Sequence, residues 1–315
     1  MTGPVRAPVA SLTLGGCDDV RAEVLVHARH RPHGAEATIT GTLTGPHRGR
    51  DTTLPATARL QPTATAGLAR AVLTEPAYWT PDLPNRYRLE ATIMSAGASP
   101  VTVDRLVGLR RLGVRGRSLW LDGRRWVPRA VSVEDVAGID ACKPAASAAV
   151  VTAPDEATLD RADAIGVAVL ARVSRAGCSP DDLADRITAW SAHPSVAVAI
   201  LPDDVPTTTV TEVATAVQGR KDTLLLAATV AGATSPPTGL PAGIDVLMVM
   251  LETDADPHDG WRAGAGLPLV AWRRQPAAPT TGRRPCDELQ AALAAWGTAG
   301  TRNTLRWDWA GFAVS

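Results

Sequence analysis

The sequence predicts an antiparallel β-sandwich followed by a reduced (β/α)8 barrel, a multidomain β plus α/β architecture. Three observations carry that reading. The chain has 315 residues, about twice the usual length of one domain. Its first 115 residues alternate apolar and polar side chains with a period of two. From about Leu119 onward, short apolar runs alternate with helical segments, which is the pattern of parallel βα units. The divide therefore falls between residues 1–115 and 116–315.

In the first part, residues 36–44 set Ala37, Ile39, Gly41 and Leu43 on one face and Glu36 and four Thr on the other. That is a strand with one wet face. Residues 86–94 repeat the pattern with Tyr87, Leu89, Ala91 and Ile93, and residues 20–28 and 68–73 are shorter versions. Turn-rich stretches at 45–50 and 97–100 separate them, as in an antiparallel sandwich. In the second part the strand candidates are 126–131, 148–152, 167–173, 196–201, 223–228, 244–250, 267–272 and 304–309. A helix over 155–165 carries Leu159, Ala162 and Ile165 on one face, starts behind Pro154 and stops at Gly166. Residues 181–191, 208–218 and 287–296 also read as helices, whereas the 230–243 crossover is rich in Pro and Gly and has no helical period. About 200 residues for eight units is the lower limit for such a barrel.

Composition excludes several classes. The chain is 45% hydrophobic and 20% charged, and its 32 basic residues balance 32 acidic ones. No apolar run approaches the roughly 18 residues of a membrane span, so disorder, membrane insertion and charge-driven nucleic-acid binding are not expected. All but two of the basic residues, Lys143 and Lys221, are Arg, a coding bias that carries no function. Cys17, Cys142, Cys178 and Cys286 form no Cys-x-x-Cys pair and have no His at ligand spacing, so neither a zinc site nor any cofactor is expected. The N-terminal residues have no apolar segment behind Arg6, which leads to the expectation of a cytoplasmic chain.

Four segments in order carry a resemblance. They are Glu75-Pro-Ala-Tyr-Trp-Thr-Pro-Asp-Leu-Pro-Asn-Arg-Tyr87; Val107-Gly-Leu-Arg110 followed by Leu119-Trp-Leu-Asp-Gly-Arg-Arg-Trp-Val-Pro-Arg129; Leu159-Asp-Arg-Ala-Asp-Ala-Ile-Gly166; and His193-Pro-Ser-Val196. Together they resemble glycoside hydrolase family 2, the family of β-galactosidases, β-glucuronidases and β-mannosidases, over residues 12–312. The resemblance implies that the sandwich is immunoglobulin-like, and that the jelly roll that usually precedes it is absent. Read as residues, Trp79 and Tyr87 are core anchors among prolines, Ser195 is a cap or turn residue, and His193 is structural, since no third member of a triad accompanies it.

Retaining glycosidases need two carboxyl groups about 5 to 5.5 Å apart at the C-terminal ends of barrel strands. Counting from His193, the family's Asn-Glu pair falls on Asp203 and Asp204. The resemblance thus implies Asp204 as acid/base and Asp203 in place of the amide that binds the sugar. At the end of strand seven, where the nucleophile belongs, the chain has Trp272 and Arg273 and no carboxylate. Glu252, at the end of strand six, is a displaced-nucleophile candidate or a solvated loop residue. The family's acidic loop after strand one is matched by Val131-Ser-Val-Glu-Asp135, and its Arg at the end of strand two is replaced by residues 151–153. Trp261, Trp272, Trp307 and Trp309 offer stacking faces for sugar or fill space, and alternation sets Trp307 and Trp309 on one side of strand eight.

Three functions follow as expectations: a noncatalytic relative of family 2 glycosidases with a carbohydrate-facing cleft or scaffold role, binding through Asp203, Trp272, Arg273 and Trp307; an active β-glycosidase using Asp204 with a relocated nucleophile such as Glu252; and a protein-interaction module on a barrel scaffold. Register further predicts an Asp204–Arg273 pair in the barrel mouth, which a one-residue slip would abolish by turning Arg273 outward.

Overall fold

The computed structural model describes residues 10–28, 37–49, 54–95, 97–174, 179–203, 205–217, 223–299 and 308–315. The N-terminal strands are β1 (Ala10–Cys17), β2 (Arg21–Ala28), β3 (Ala37–His47), β4 (Ala56–Pro62), β5 (Leu68–Thr74), β6 (Arg86–Ser95) and β7 (Val101–Val107). They hydrogen-bond in the order β1-β2-β5-β4-β3-β6-β7, every pair antiparallel. β4 joins the two halves, pairing with β3 through Ala56 to Leu60 and with β5 through Gln61 and Pro62. The result is one continuous curled sheet instead of two separate layers. Its inner face closes on a single core in which Val24, Ile39, Leu43 and Leu89 are fully buried. The alternation of residues 37–44 sets those side chains inward, as the period of two requires. Gly41 has a φ of 150°, and a Cβ there would lie 2.0 Å from the Glu90 carbonyl oxygen, so close strand approach requires glycine at this point.

Three short strands follow: β8 (Leu112–Arg115), β9 (Ser118–Leu121) and β10 (Arg124–Trp126), in the order β10-β9-β8. Asp122 and Gly123 both have positive φ, at 50° and 74°, as a two-residue Asp-Gly hairpin turn requires. Leu112, Leu119 and Leu121 share a core with the interior residues of the barrel, so this small sheet plugs one end of it.

The barrel is closed and consists of eight parallel strands: β11 (Arg129–Val133), β12 (Ala148–Thr152), β13 (Val169–Arg172), β14 (Val196–Ile200), β15 (Leu225–Ala231), β16 (Val246–Leu251), β17 (Leu269–Arg273) and β18 (Gly311–Val314). Alternate residues divide between two apolar layers. Val150, Leu170, Met248 and Val270 fill the interior, while Val151, Val169, Leu247 and Leu269 face the outer layer. Among the described residues five α-helices cover that layer: α1 (Val136–Cys142), α2 (Glu156–Ile165), α3 (Pro180–Trp190), α4 (Thr207–Ala216) and α5 (Arg284–Thr298). Side-chain oxygens of Asp135, Asp155 and Ser179 cap α1, α2 and α3, and Gly166 ends α2 in a left-handed conformation with φ 77°.

Among the described residues no α-helix follows β15 or β16, in keeping with the Pro- and Gly-rich crossover. Trp261 takes up part of that space: it is fully buried, and its indole donates to the Thr234 carbonyl. Several boundaries differ from the sequence reading, and two of the shifts matter for the site. The first barrel strand begins at Arg129 instead of 126, because Trp126 belongs to the plug. The eighth is Gly311–Val314 instead of 304–309. Trp309 therefore precedes the strand and packs in the outer core, while Trp307, expected on the same face, lies outside the described residues. No helix among the described residues is long and apolar enough to cross a membrane.

Candidate functional site at the barrel mouth

The C-terminal ends of the strands bring Arg172, Asp203, Trp272 and Ser315 together. Trp272 sits on the inward register of β17, opposite Met250 and Ala313, and is 3% exposed. Its indole nitrogen donates to the Ser315 hydroxyl at 3.0 Å. The Arg172 guanidinium lies 5.5 Å from the Trp272 ring centroid and donates to Asp203 at 2.8 Å. Arg172 is thus held between an aromatic face and a carboxylate. Beside this group a cavity of about 350 Å³ is lined by Asp203, Thr229, Met250, Glu252, Asp256 and Arg274, among others. One carboxylate oxygen of Asp203 and the Thr229 hydroxyl are buried without a hydrogen-bond partner, and both residues line that cavity. Glu252 is exposed and paired with Arg274 at 3.0 Å.

Set against the expected site, Asp203, Glu252 and Trp272 are at the mouth. Asp204 and Trp307 lie outside the described residues. Arg273 is a correction. It pairs in register with Leu251 and Val314 and alternates with Leu269 and Ala271, all members of the outer core. Its side chain is set on the outer face of β17, and among the described residues it donates to the Ala255 carbonyl at 3.4 Å. The expected Asp204–Arg273 pair involves a residue outside the described ones; for Arg273 itself the register sets the side chain outward, since only one of two successive strand residues can face inward. Arg172 was missed; its signal was a basic residue at the end of the apolar run 167–173. Asp135, in the acidic loop after strand one, caps α1.

No family model and no curated protein matches the sequence. Solved structures do match. A β-glucuronidase from Ruminococcus gnavus superposes with a TM-score of 0.69 at 13% identity, covering 97% of this chain and 60% of that one; the same enzyme has been solved with D-glucuronic acid. A β-D-glucuronidase from Dictyoglomus thermophilum gives 0.65 at 12% identity over 97% and 61% of the two chains. A glycosyl hydrolase family 2 member from Bacteroides cellulosilyticus gives 0.65 at 13%, over 97% and 44%. The chain has a glycoside hydrolase family 2-like fold. It spans roughly half the length of these structures, between 44% and 61%.

In this family 2-like fold, the segments that carry the sequence resemblance meet at the junction of sheet and barrel, remote in kind from the mouth. Asp163 of α2 organises them. Its carboxylate bonds to His193 Nδ1 and accepts from the Ser195 backbone N–H, both at 2.8 Å, while its carbonyl accepts from the Trp79 indole at 3.0 Å. Arg110 donates to the carbonyls of Pro194 and Val196. Trp79 and His193 are therefore structural, as read from the sequence, whereas Ser195 contributes its backbone N–H and its hydroxyl is buried without a partner. Burial lowers the His193 pKa, but hydrogen bonds to Asp163 and Glu156 outweigh it and raise the value to about 9. Glu156, Asp160 and His193 have ligand atoms within 4.8 Å of one another. A protonated imidazole donates from both nitrogens and offers no lone pair to a metal, so the trio is an ion cluster.

Proposed function

We propose that the chain is a noncatalytic relative of the family 2 glycosidases that retains a carbohydrate-facing cleft at the barrel mouth, with the curled sheet over residues 1–115 as counterpart of the immunoglobulin-like sandwich and residues 116–315 as the barrel. The observation that carries this reading is Trp272. It occupies the inward position at the end of β17, where a nucleophilic carboxylate would stand, and Arg172 and Ser315 hold it there. Without a nucleophile the two-step retaining route has no covalent intermediate. On the acid/base side, Asp203 is engaged by Arg172; Asp204 remains its neighbour in sequence.

The cleft keeps features of a sugar site. Unpartnered oxygens of Asp203 and Thr229 and a volume of about 350 Å³ suit a single pyranose ring better than a polymer, and the buried Trp272 indole is coupled to that wall through Arg172 and Asp203. Oligosaccharides should quench tryptophan fluorescence with dissociation constants of order millimolar, since few polar clamps converge, and Trp272→Ala should abolish the response. The decisive experiment is a panel of aryl β-glycosides, glucuronides included. No turnover above a mock purification is expected. Turnover that disappears in Asp204→Ala or Glu252→Gln would establish the active-enzyme reading instead, because Glu252 and Asp203 line one cavity.

A further inference from the structure

The junction between sheet and barrel encloses a second, smaller space. A cavity of about 30 Å³ lies between β1 and β7 on one side and the loop from Ser191 to Pro194 on the other. The polar side chains of its wall belong to Thr13, Arg105, Arg110, Ser191 and Thr223, and among the described residues no carboxylate lines it. The Thr13 hydroxyl is engaged with His27, and that of Ser191 donates to the Thr188 carbonyl. Thr223 has a partner as well, and Arg105 and Arg110 bring guanidinium donors to the same wall.

Both guanidiniums are incompletely satisfied. Arg110 is 5% exposed; its two Nη atoms reach carbonyls, but its Nε is buried with no acceptor. Arg105 has Nε and Nη2 buried in the same condition. Burial is the largest influence on both and lowers their pKa, Arg110 to about 9. Glu156, Asp163 and Asp160 act on Arg105 from α2 in the opposite direction, yet none of them reaches the cavity wall, and Asp163 is already committed to His193 and the Ser195 N–H. Asp163 acts on Arg110 in the same sense, but these carboxylates leave the buried N–H groups without acceptors, which is costly, and an acceptor inside the cavity would serve both guanidiniums.

We propose that this cavity binds one chloride-sized monovalent anion, held by Arg110 Nε and the Nε and Nη2 donors of Arg105. A water molecule fits the space, but it must find acceptors for its own hydrogens in a wall whose charged side chains are donors. Because Arg105 belongs to the sheet and Arg110 clamps the barrel loop at Pro194, the anion ties the two parts together.

The test uses the full chain. Thermal unfolding is followed at constant ionic strength while sodium gluconate is replaced by sodium chloride. A saturable rise in Tm of about 2 to 4 °C is expected at saturating chloride, and Arg105→Gln, folded by circular dichroism, should lose it. Crystals grown in bromide should show an anomalous peak within hydrogen-bonding distance of Arg110 Nε. A Tm indifferent to chloride, a chloride effect that survives unchanged in Arg105→Gln, or a cavity without bromide would each overturn the proposal.

Discussion

His193 shows how a single side chain sets the pH response of the junction. Its pKa is about 6.5 in an unfolded chain and about 9 when folded, because hydrogen bonds to Asp163 and Glu156 overcome the burial that alone would lower it. A raised value means that the folded state holds the proton more tightly. Its contribution, about 3 kcal/mol for such a shift, is present in full below about pH 6.5 and is lost as pH rises through about 9. Urea unfolding across pH 6 to 10 should show that decline, and His193→Gln should flatten it. The comparison with the variant matters because burial also pushes the Cys286 thiol up to about 12, which weakens the fold at alkaline pH by a separate route. Equal pH slopes in the two proteins would remove His193 from this role.

At the scale of elements, the barrel plug makes a sharper prediction than any helix. Leu119 is fully buried in the interior core and belongs to a strand of only four residues. Leu119→Ala should cost about 2 to 5 kcal/mol, read as a lower urea midpoint with an unchanged slope, whereas an effect under about 1 kcal/mol would mean that the plug is not part of the core. The sequence showed the strands whose alternation is long and regular, such as β3 and β6, and the helices that begin at a cap and end at glycine, such as α2. It hid others for physical reasons. β18 has four residues, fewer than a period can establish, and the sequence reading was drawn to the aromatic residues before it, of which Trp309 precedes the strand. At the mouth, an apolar run ending in Trp272-Arg273 allows either residue to face inward; pairing with Leu251 and Val314 on the outer layer decides for Trp272. The candidate carboxylates were legible by position, but Arg172 as the partner of Asp203 depends on two strands meeting side by side in a parallel barrel, which no local pattern encodes.

For the whole molecule, the question is whether sheet and barrel behave as one cooperative body. Four contacts among those joining the described residues of the two parts bear on this: the Trp79 indole on the Asp163 carbonyl, Arg110 on the carbonyls of Pro194 and Val196, Lys143 Nζ on the Pro81 carbonyl at 2.5 Å, and Gly108 against Pro194. Three of these satisfy polar groups that separation would leave to water, and the first two are buried. The fourth is steric. A Cβ at Gly108 would sit 2.5 Å from both Cβ and Cγ of Pro194, and 3.2 Å from the Trp79 Cβ. The proline ring cannot rotate away as a flexible side chain would, so Gly108→Ala should force the surfaces apart at a cost of about 1 to 3 kcal/mol. Because neither core is touched, the whole cost falls on the joint. Calorimetry of the unmodified chain should then show one transition with equal calorimetric and van't Hoff enthalpies. In Gly108→Ala that transition should move down by a few degrees, and Trp79→Phe, which removes the indole N–H while keeping an aromatic ring, should move it in the same direction. Two resolved transitions in the unmodified chain, or an unmoved Tm in Gly108→Ala, would show that sheet and barrel unfold independently.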